Sequence, residues 1–349
     1  MSPIRPARAA LSAIGLATAV ACAASAAHAD AVSDFYKSKD ITLIVSSSSG
    51  GGYDLYARLI ARHLGDYIPG KPKVVVQNMP GAGGITAANN LYNIALKDGS
   101  VIGALQNTVP FEPILNNKAA QFDPLKFDWL GSPNTEIGLL LLWHTAKANT
   151  LEDAKKIETV VGTSGTASTP AFYARVLNTV FNTKLKMVGG YPGQTEAFLA
   201  IERGEIEGYP STFWSSLKAT KPDWIRDNKV KLLVQYGRKP HPELPNVPVA
   251  REMTDNADDK VLLDIAMAPL EAGRPYLAPP NVPADRLAAL RVGMMSTFRD
   301  KAFVSDVTKA GLEVDADPKS GEAIAALLTE TYNAPEAAKA RLLAIYNAK

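Results

Sequence analysis

Apolar residues recur along this chain in short unbroken runs, and between the runs they recur at helical spacing. The first run is Ile41-Thr42-Leu43-Ile44-Val45. It gives way to Ser46-Ser47-Ser48-Ser49-Gly50-Gly51-Gly52-Tyr53-Asp54, after which Leu55, Leu59, Ile60 and Leu64 share one helical face. The pattern predicts strand, loop and helix. It then repeats. Lys73 to Gln77 is a second strand, leading through Asn78-Met79-Pro80-Gly81-Ala82-Gly83-Gly84 into a helix from Ile85 to about Ala95. Asp98-Gly99 turns the chain into a third strand, Ser100 to Leu105, with the polar tip Gln106-Asn107-Thr108. Short apolar strands alternating with helices predict a parallel sheet covered on both sides.

A second series follows. Ile137 to Trp143, Thr159 to Gly162, Lys186 to Val188, Ile206 to Tyr209 and Lys231 to Tyr236 read as strands. Helical patterns lie between them, with Phe172, Val176, Leu177 and Val180 on one face and Phe198, Leu199 and Ile201 on another. A proline-studded connection from Arg238 to Pro248 precedes a return to the first unit near 266–275. Pro279-Pro280-Asn281-Val282-Pro283 then leads into C-terminal amphipathic helices. The expected organisation is a leader over 1–29, a first lobe over 30–133 plus 268–349, and a second lobe over 134–267. The loops of both lobes should face one cleft, because ligands of such sheets sit beyond the carboxyl ends of the strands.

The leader changes the picture. Arg5 and Arg8 precede an Ala/Leu/Val-rich run from Ala9 to Ala27, and Ala27-His28-Ala29 fits a small-x-small cleavage site. Export with processing near Ala29 is expected, hence a periplasmic location. The only cysteine, Cys22, leaves with the leader, so the mature chain has no disulfide, thiol nucleophile or thiolate metal site. Cleavage also removes two arginines and no acid, leaving basic and acidic residues equal in number. No basic stripe supports a nucleic-acid partner.

Four hydroxyl residues and three glycines ahead of a helix form a low-bulk loop whose N–H groups can turn to a ligand at the positive helix end. This is the physics of an anion cradle; composition alone would also suit a flexible linker. Thr163-Ser164-Gly165-Thr166-Ala167-Ser168-Thr169-Pro170 is built the same way in the second series. Asp54 in the first helical turn serves either dipole compensation and loop hydrogen bonding or a ligand contact. Tyr53, Tyr191 and Tyr209 offer flat walls with a polar rim.

Tools for catalysis are few. His63, His144 and His241 stand in no recognisable metal-binding spacing. There is no G-x-S-x-G nucleophile elbow, no phosphate-binding Gly-x-x-x-x-Gly-Lys loop, and the glycines at 81–84 lack the dinucleotide spacing. No catalytic residue, metal or cofactor is therefore expected. A hydrolase using Ser164 or Ser48 is the weaker alternative, since neither has a base in a recognisable pattern.

Together these stretches resemble the extracytoplasmic solute receptors of the tripartite tricarboxylate transporter system, the TctC or Bug receptors. The resemblance is carried by Ser46 to Asp54 with Ala57-Arg58, Asn78 to Gly84, Asp98-Gly99, Gly162 to Thr166, Tyr191-Pro192-Gly193, and Leu244-Pro245-Asn246-Val247-Pro248 with Glu252. It implies an α/β, two-lobed type II periplasmic-binding-protein fold, each lobe a mainly parallel sheet flanked by helices, closing on a small carboxylate. By position it points to Ser47, Ser48, Gly51, Gly52, Ala82, Gly83, Ser164, Thr166 and Ser168 as the carboxylate cradle. Tyr191, Pro192, Gly193 and Ser211 would shape the distal end, and Tyr53, Asp54, Gly84 and Asn107 complete the candidate set. The family often has Pro-Phe-Ala-Pro in place of Ser46 to Ser49, and Tyr-Lys-Gly in place of Tyr191 to Gly193, so its usual dicarboxylate preference does not carry over directly. The implied partners are a small organic carboxylate and inner-membrane permease subunits, with the receptor acting as a monomer. A ligand-dependent sensor working with a membrane histidine kinase is the alternative of a different class.

Overall fold

The computed structural model describes residues 31–347 apart from Ala167 and Arg238; the leader, its cleavage site and Cys22 lie outside the described residues. Four strands open the chain: β1 (Ile41–Val45), β2 (Val74–Asn78), β3 (Val101–Ala104) and β4 (Asp128–Ser132). Next come β5 (Gly138–Trp143), β6 (Thr159–Gly162), β7 (Leu185–Val188), β8 (Gly208–Phe213) and β9 (Val230–Tyr236), then β10 (Tyr276–Ala278) and β11 (Lys319–Ser320). They form two sheets, one ordered β11-β4-β10-β3-β1-β2 and the other β7-β6-β8-β5-β9.

Both sheets are mixed. β1 runs parallel to β2 and β3, and β6 parallel to β7 and β8. By contrast β10 is antiparallel to β3 and β4, β11 to β4, and β5 to β8 and β9. The reversals have a topological cause. A chain that leaves one lobe at the cleft must enter the other at the cleft, so its first strand there starts where its neighbours end. Accordingly Gly138 at the start of β5 pairs with Phe213 at the end of β8, and Tyr276 at the start of β10 pairs with Ala104 at the end of β3.

Burial follows the strand period. Leu139 to Leu142 in β5 are wholly buried, with Leu140 and Leu142 packed among Phe172, Val176 and Leu177 on one face. Leu139 and Leu141 meet Phe198, Ile201, Trp214 and Trp224 on the other. A strand apolar on both faces is covered on both, each leucine contributing roughly 2 kcal/mol of transfer free energy. The last helix, Glu336–Asn347, expected with the first lobe, touches both: Asn117 Nδ2 donates to Tyr346 Oη at 2.8 Å and Tyr346 Oη to Glu112 Oε2 at 2.9 Å, while its apolar side reaches the second lobe. Leu342 and Ile345 join the Phe172 cluster there, and Arg175 sits 4.8 Å over the Tyr346 ring, so this apolar pair finds its cover across the cleft line.

Candidate functional site

The loop after β1 is held from within by Asp54. Its Oδ2 accepts from the Gly50 N–H at 2.8 Å, from Ser49 Oγ at 3.2 Å and from Arg58 Nε at 2.9 Å. Asn78 Nδ2 donates to Asp54 Oδ1 at 2.9 Å and to the Ser47 carbonyl at 3.0 Å, tying the loop to the end of β2. Burial by itself would raise the Asp54 pKa, but the bonds from Arg58, Gly50 and Asn78 outweigh it and hold the carboxyl below its ordinary value. Asp54 thus organises the loop from behind. Ser46 Oγ accepts from the Gln106 N–H at 2.8 Å, which joins the tips of β1 and β3.

Helix α1 (Gly52–His63) starts from this loop, and α2 (Ile85–Asn93) starts from the Gly81–Gly84 loop. From the second lobe come α3 (Thr169–Phe181), α4 (Gln194–Glu202) and α5 (Trp214–Thr220). Ser168 caps α3, its Oγ accepting from the Ala171 N–H at 3.4 Å and donating to the Gly165 carbonyl at 2.7 Å. The first residues of α1, α3, α4 and α5 meet around one cavity between the lobes. Its wall is formed by Ser47, Gly51, Gly52 and Tyr53, by Thr169 and Pro170, by Gly193 and Gln194, and by Phe213 and Ser216, with Gln106, Ser164, Tyr209 and Ser211 between them. The space between these walls, its mouth included, is about 450 Å³. Among the described residues no ionisable acid or base other than the two tyrosines lines it.

The lobes stand closed on each other. Ser48 Oγ donates to Glu196 Oε2 at 2.7 Å, and Thr195 Oγ1 donates to the Ser49 carbonyl at 3.2 Å. Thr169 Oγ1 donates to Asn107 Oδ1 at 2.9 Å, while the Asn107 N–H donates to Tyr53 Oη at 2.9 Å. Close approaches need glycine: a Cβ on Gly52 would lie 1.9 Å from Ser216 Oγ, and one on Gly165 (φ +137°) 2.8 Å from the Gly83 nitrogen. Beneath Gly52 and Ser216 runs a wholly buried ion pair, Arg274 Nε to Glu136 Oε1 at 2.5 Å. Ser215 and Asn134 donate to Glu136, and Arg274 Nη2 reaches Ser216 Oγ at 2.6 Å.

Of the residues singled out by the sequence, Ser47, Gly51, Gly52, Tyr53, Ser164, Gly193, Tyr209 and Ser211 line the cavity. Ser48 and Asn107 bridge the lobes beside it, and Asp54 and Ser168 brace its loops. The turn at Ala82, Gly83 and Gly84 presses on Gly165. Thr166 is exposed and offers its carbonyl to Arg175, Pro192 is exposed, and the Tyr191 ring leans on Gly162. Gln106, Thr169 and Pro170 lay in stretches read as a strand tip and a cradle without being singled out; Gln194, Phe213 and Ser216 were not foreseen. Thr169-Pro170 carried a signal, since proline favours the first helical turn. Elsewhere, His241, Glu243 and Glu313 come within metal-ligating distance of one another, but Lys218 Nζ donates to both glutamates at 2.6 Å, occupying their oxygens and offsetting one of the two charges.

No family model matches the chain. It is 28% identical over 192 residues to a UPF0065 protein of Agrobacterium vitis, covering 50% of this chain and 51% of that protein, so it spans only about half that relative's length. It is 24% identical over 255 residues to a UPF0065 protein of Cupriavidus necator, covering 68% and 72%. Among solved structures, the periplasmic binding protein BugD superposes with a TM-score of 0.71 at 19% identity, covering 84% of this chain and 94% of that one. MatC from Rhodopseudomonas palustris with bound malate gives 0.69 at 21%, covering 88% and 99%. A TctC solute-binding protein from Polaromonas gives 0.57 at 19%, covering 89% and 99%. Each of these three is named as a binding protein or carries a bound ligand, and none is named as an enzyme. The resemblance read from the sequence is borne out: the chain is similar over most of its length to the Bug and TctC solute receptors and has their two-lobed fold.

Proposed function

We propose that this protein is a periplasmic receptor that closes on a small organic carboxylate and delivers it to the membrane subunits of a tripartite tricarboxylate-type transporter. One observation carries the reading: helix N-termini from both lobes converge on a cavity that no charged side chain lines. Each such end bears about half a positive charge and unsatisfied N–H groups, which favour an anion without requiring a lysine or arginine. The cradle takes Ser47, Gly51, Gly52, Ser164 and Thr169 as its polar contacts, with Tyr53, Tyr209 and Phe213 as apolar walls. MatC, which superposes on this chain, holds malate. Among the described residues no helix is long and apolar enough to cross a membrane.

Isothermal titration calorimetry against a panel of organic acids, sugars and metal salts tests the reading. At least one acid should bind at micromolar affinity. Binding of a sugar or a metal with no response to any acid would overturn it. Co-purification with permease subunits from membranes is expected for uptake, and capture of a histidine kinase in their place would refute the transport role.

A further inference from the structure

The charges around the cavity suggest how many the ligand brings. Of the three longer helices that start there, α1 carries Asp54 in its first turn and α4 carries Glu196, whereas α3 carries no acid in its own. One full-length helix end is therefore left for an outside negative charge. The guanidinium beneath the cavity floor is matched by Glu136, so it adds no net positive charge. Glu196 lies in the first turn of α4, two residues beyond Gln194 of the cavity wall. Its carboxylate accepts from Ser48 Oγ at 2.7 Å and makes no ion pair among the described residues. Ser48 Oγ in turn lies so close to the cavity wall that a Cβ on Gly193 would be 2.3 Å from it. The Tyr209 hydroxyl in the wall is pushed up by burial first, then by Tyr53 and the Glu196 charge. At the same time Ser211 Oγ, buried in the cavity wall, has no hydrogen-bond partner among the described residues. A buried hydroxyl without a partner suits a polar group on the ligand.

Resting on the carboxylate-receptor reading, we infer that the cleft selects monocarboxylates whose far end is a neutral hydrogen-bonding group, and that Glu196 is the specificity-determining residue that turns away a second carboxylate. Ser211 is the polar contact for the neutral end.

Calorimetry at pH 7 with three matched pairs tests this on the purified protein: succinate and succinamate, glutarate and glutaramate, adipate and adipamate. Within each pair the skeleton is kept and one carboxylate becomes an amide. In at least one pair the monoamide should bind about tenfold or more tighter than the diacid, since like charges brought together at a binding site are strongly unfavourable. Glu196→Gln should shrink that ratio by gaining affinity for the diacid, and Ser211→Ala should weaken the monoamide. The wild-type ratios carry the test alone if a variant does not fold. Diacids binding as tightly as their monoamides, or a ratio unmoved by Glu196→Gln, would overturn the inference and leave the carboxylate reading standing. If none of the six binds, the inference falls; if no acid of the wider panel binds either, the receptor reading falls with it.

Discussion

Arg274 and Glu136 meet at 2.5 Å, both side chains almost wholly buried, on the stretches of chain that join β4 to β5 and lead back into β10. The neighbouring backbones are as tight: a Cβ on Gly273 would lie 1.7 Å from the Asn134 carbonyl oxygen. The pair fastens these stretches side by side, under the floor of the cavity. Removing one partner strands the other charge in the interior. Arg274→Met should cost about 3–5 kcal/mol in urea denaturation, and adding Glu136→Leu should restore a large part of it. Equal stability of the single and double variants would remove the pair from this role.

Gly165 meets the Gly81–Gly84 turn backbone to backbone when the lobes are closed, and its φ of +137° suits no L side chain. Gly165→Ala should leave each lobe folded and oppose closure. With roughly 1–3 kcal/mol of strain, affinity for the ligand found by calorimetry should fall about 10- to 100-fold. Small-angle scattering in saturating ligand should report a larger radius of gyration than for the parent.

Asp54 titrates below its ordinary range because the hydrogen bonds of its loop outweigh its burial. A carboxyl lowered on folding stabilises the fold fully above its unfolded pKa of about 4, and loses that contribution as pH falls through the folded value. Asp54→Asn should therefore lower stability at pH 7 by about 1–3 kcal/mol. The difference from the parent should narrow as unfolding is followed to pH 2–3. A difference independent of pH would exclude an ionised Asp54 as the cause.

Leu140 is wholly buried in β5. Leu140→Ala should cost about 2–5 kcal/mol through lost transfer free energy and the cavity left behind, read as a lower denaturant midpoint. Val292→Ala, at a site 65% exposed, is the matched control and should stay near zero.

Much of this was legible where signals were dense and local. The run from Ile41 to Leu64 carried a strand period, a hydroxyl- and glycine-rich turn and a helical face in succession, and β1, the loop and α1 formed where expected. Asp54 was open between a brace for its loop and a ligand contact, because an acid in a first helical turn suits both; its bonds to Gly50, Ser49 and Asn78 are those of a brace. The reversed strands were hidden. β10 and β11 are 3 and 2 residues long, too short for any periodicity to register. The strand expected over Ile206 to Tyr209 in fact runs on from Gly208 to Phe213 and passes directly into α5, so Phe213 and Ser216 were missed; no glycine or loop-forming run separates the two elements. The Arg274–Glu136 pair spans 138 positions and leaves no local trace.

The place of β10 has a kinetic consequence. It fills the gap between β3 and β4, yet it is the tenth strand in the chain, following every strand of the other sheet. The β5–β9 sheet is built from one continuous stretch and can zip up as soon as that stretch is free. The sheet that bears the Ser/Gly loop must wait, its two parts held apart until the chain has returned. Pairings of such long sequence separation are slow and leave apolar edges uncovered in the meantime. During refolding the second lobe should gain amide-exchange protection first, and the cradle should be the last part of the molecule to set.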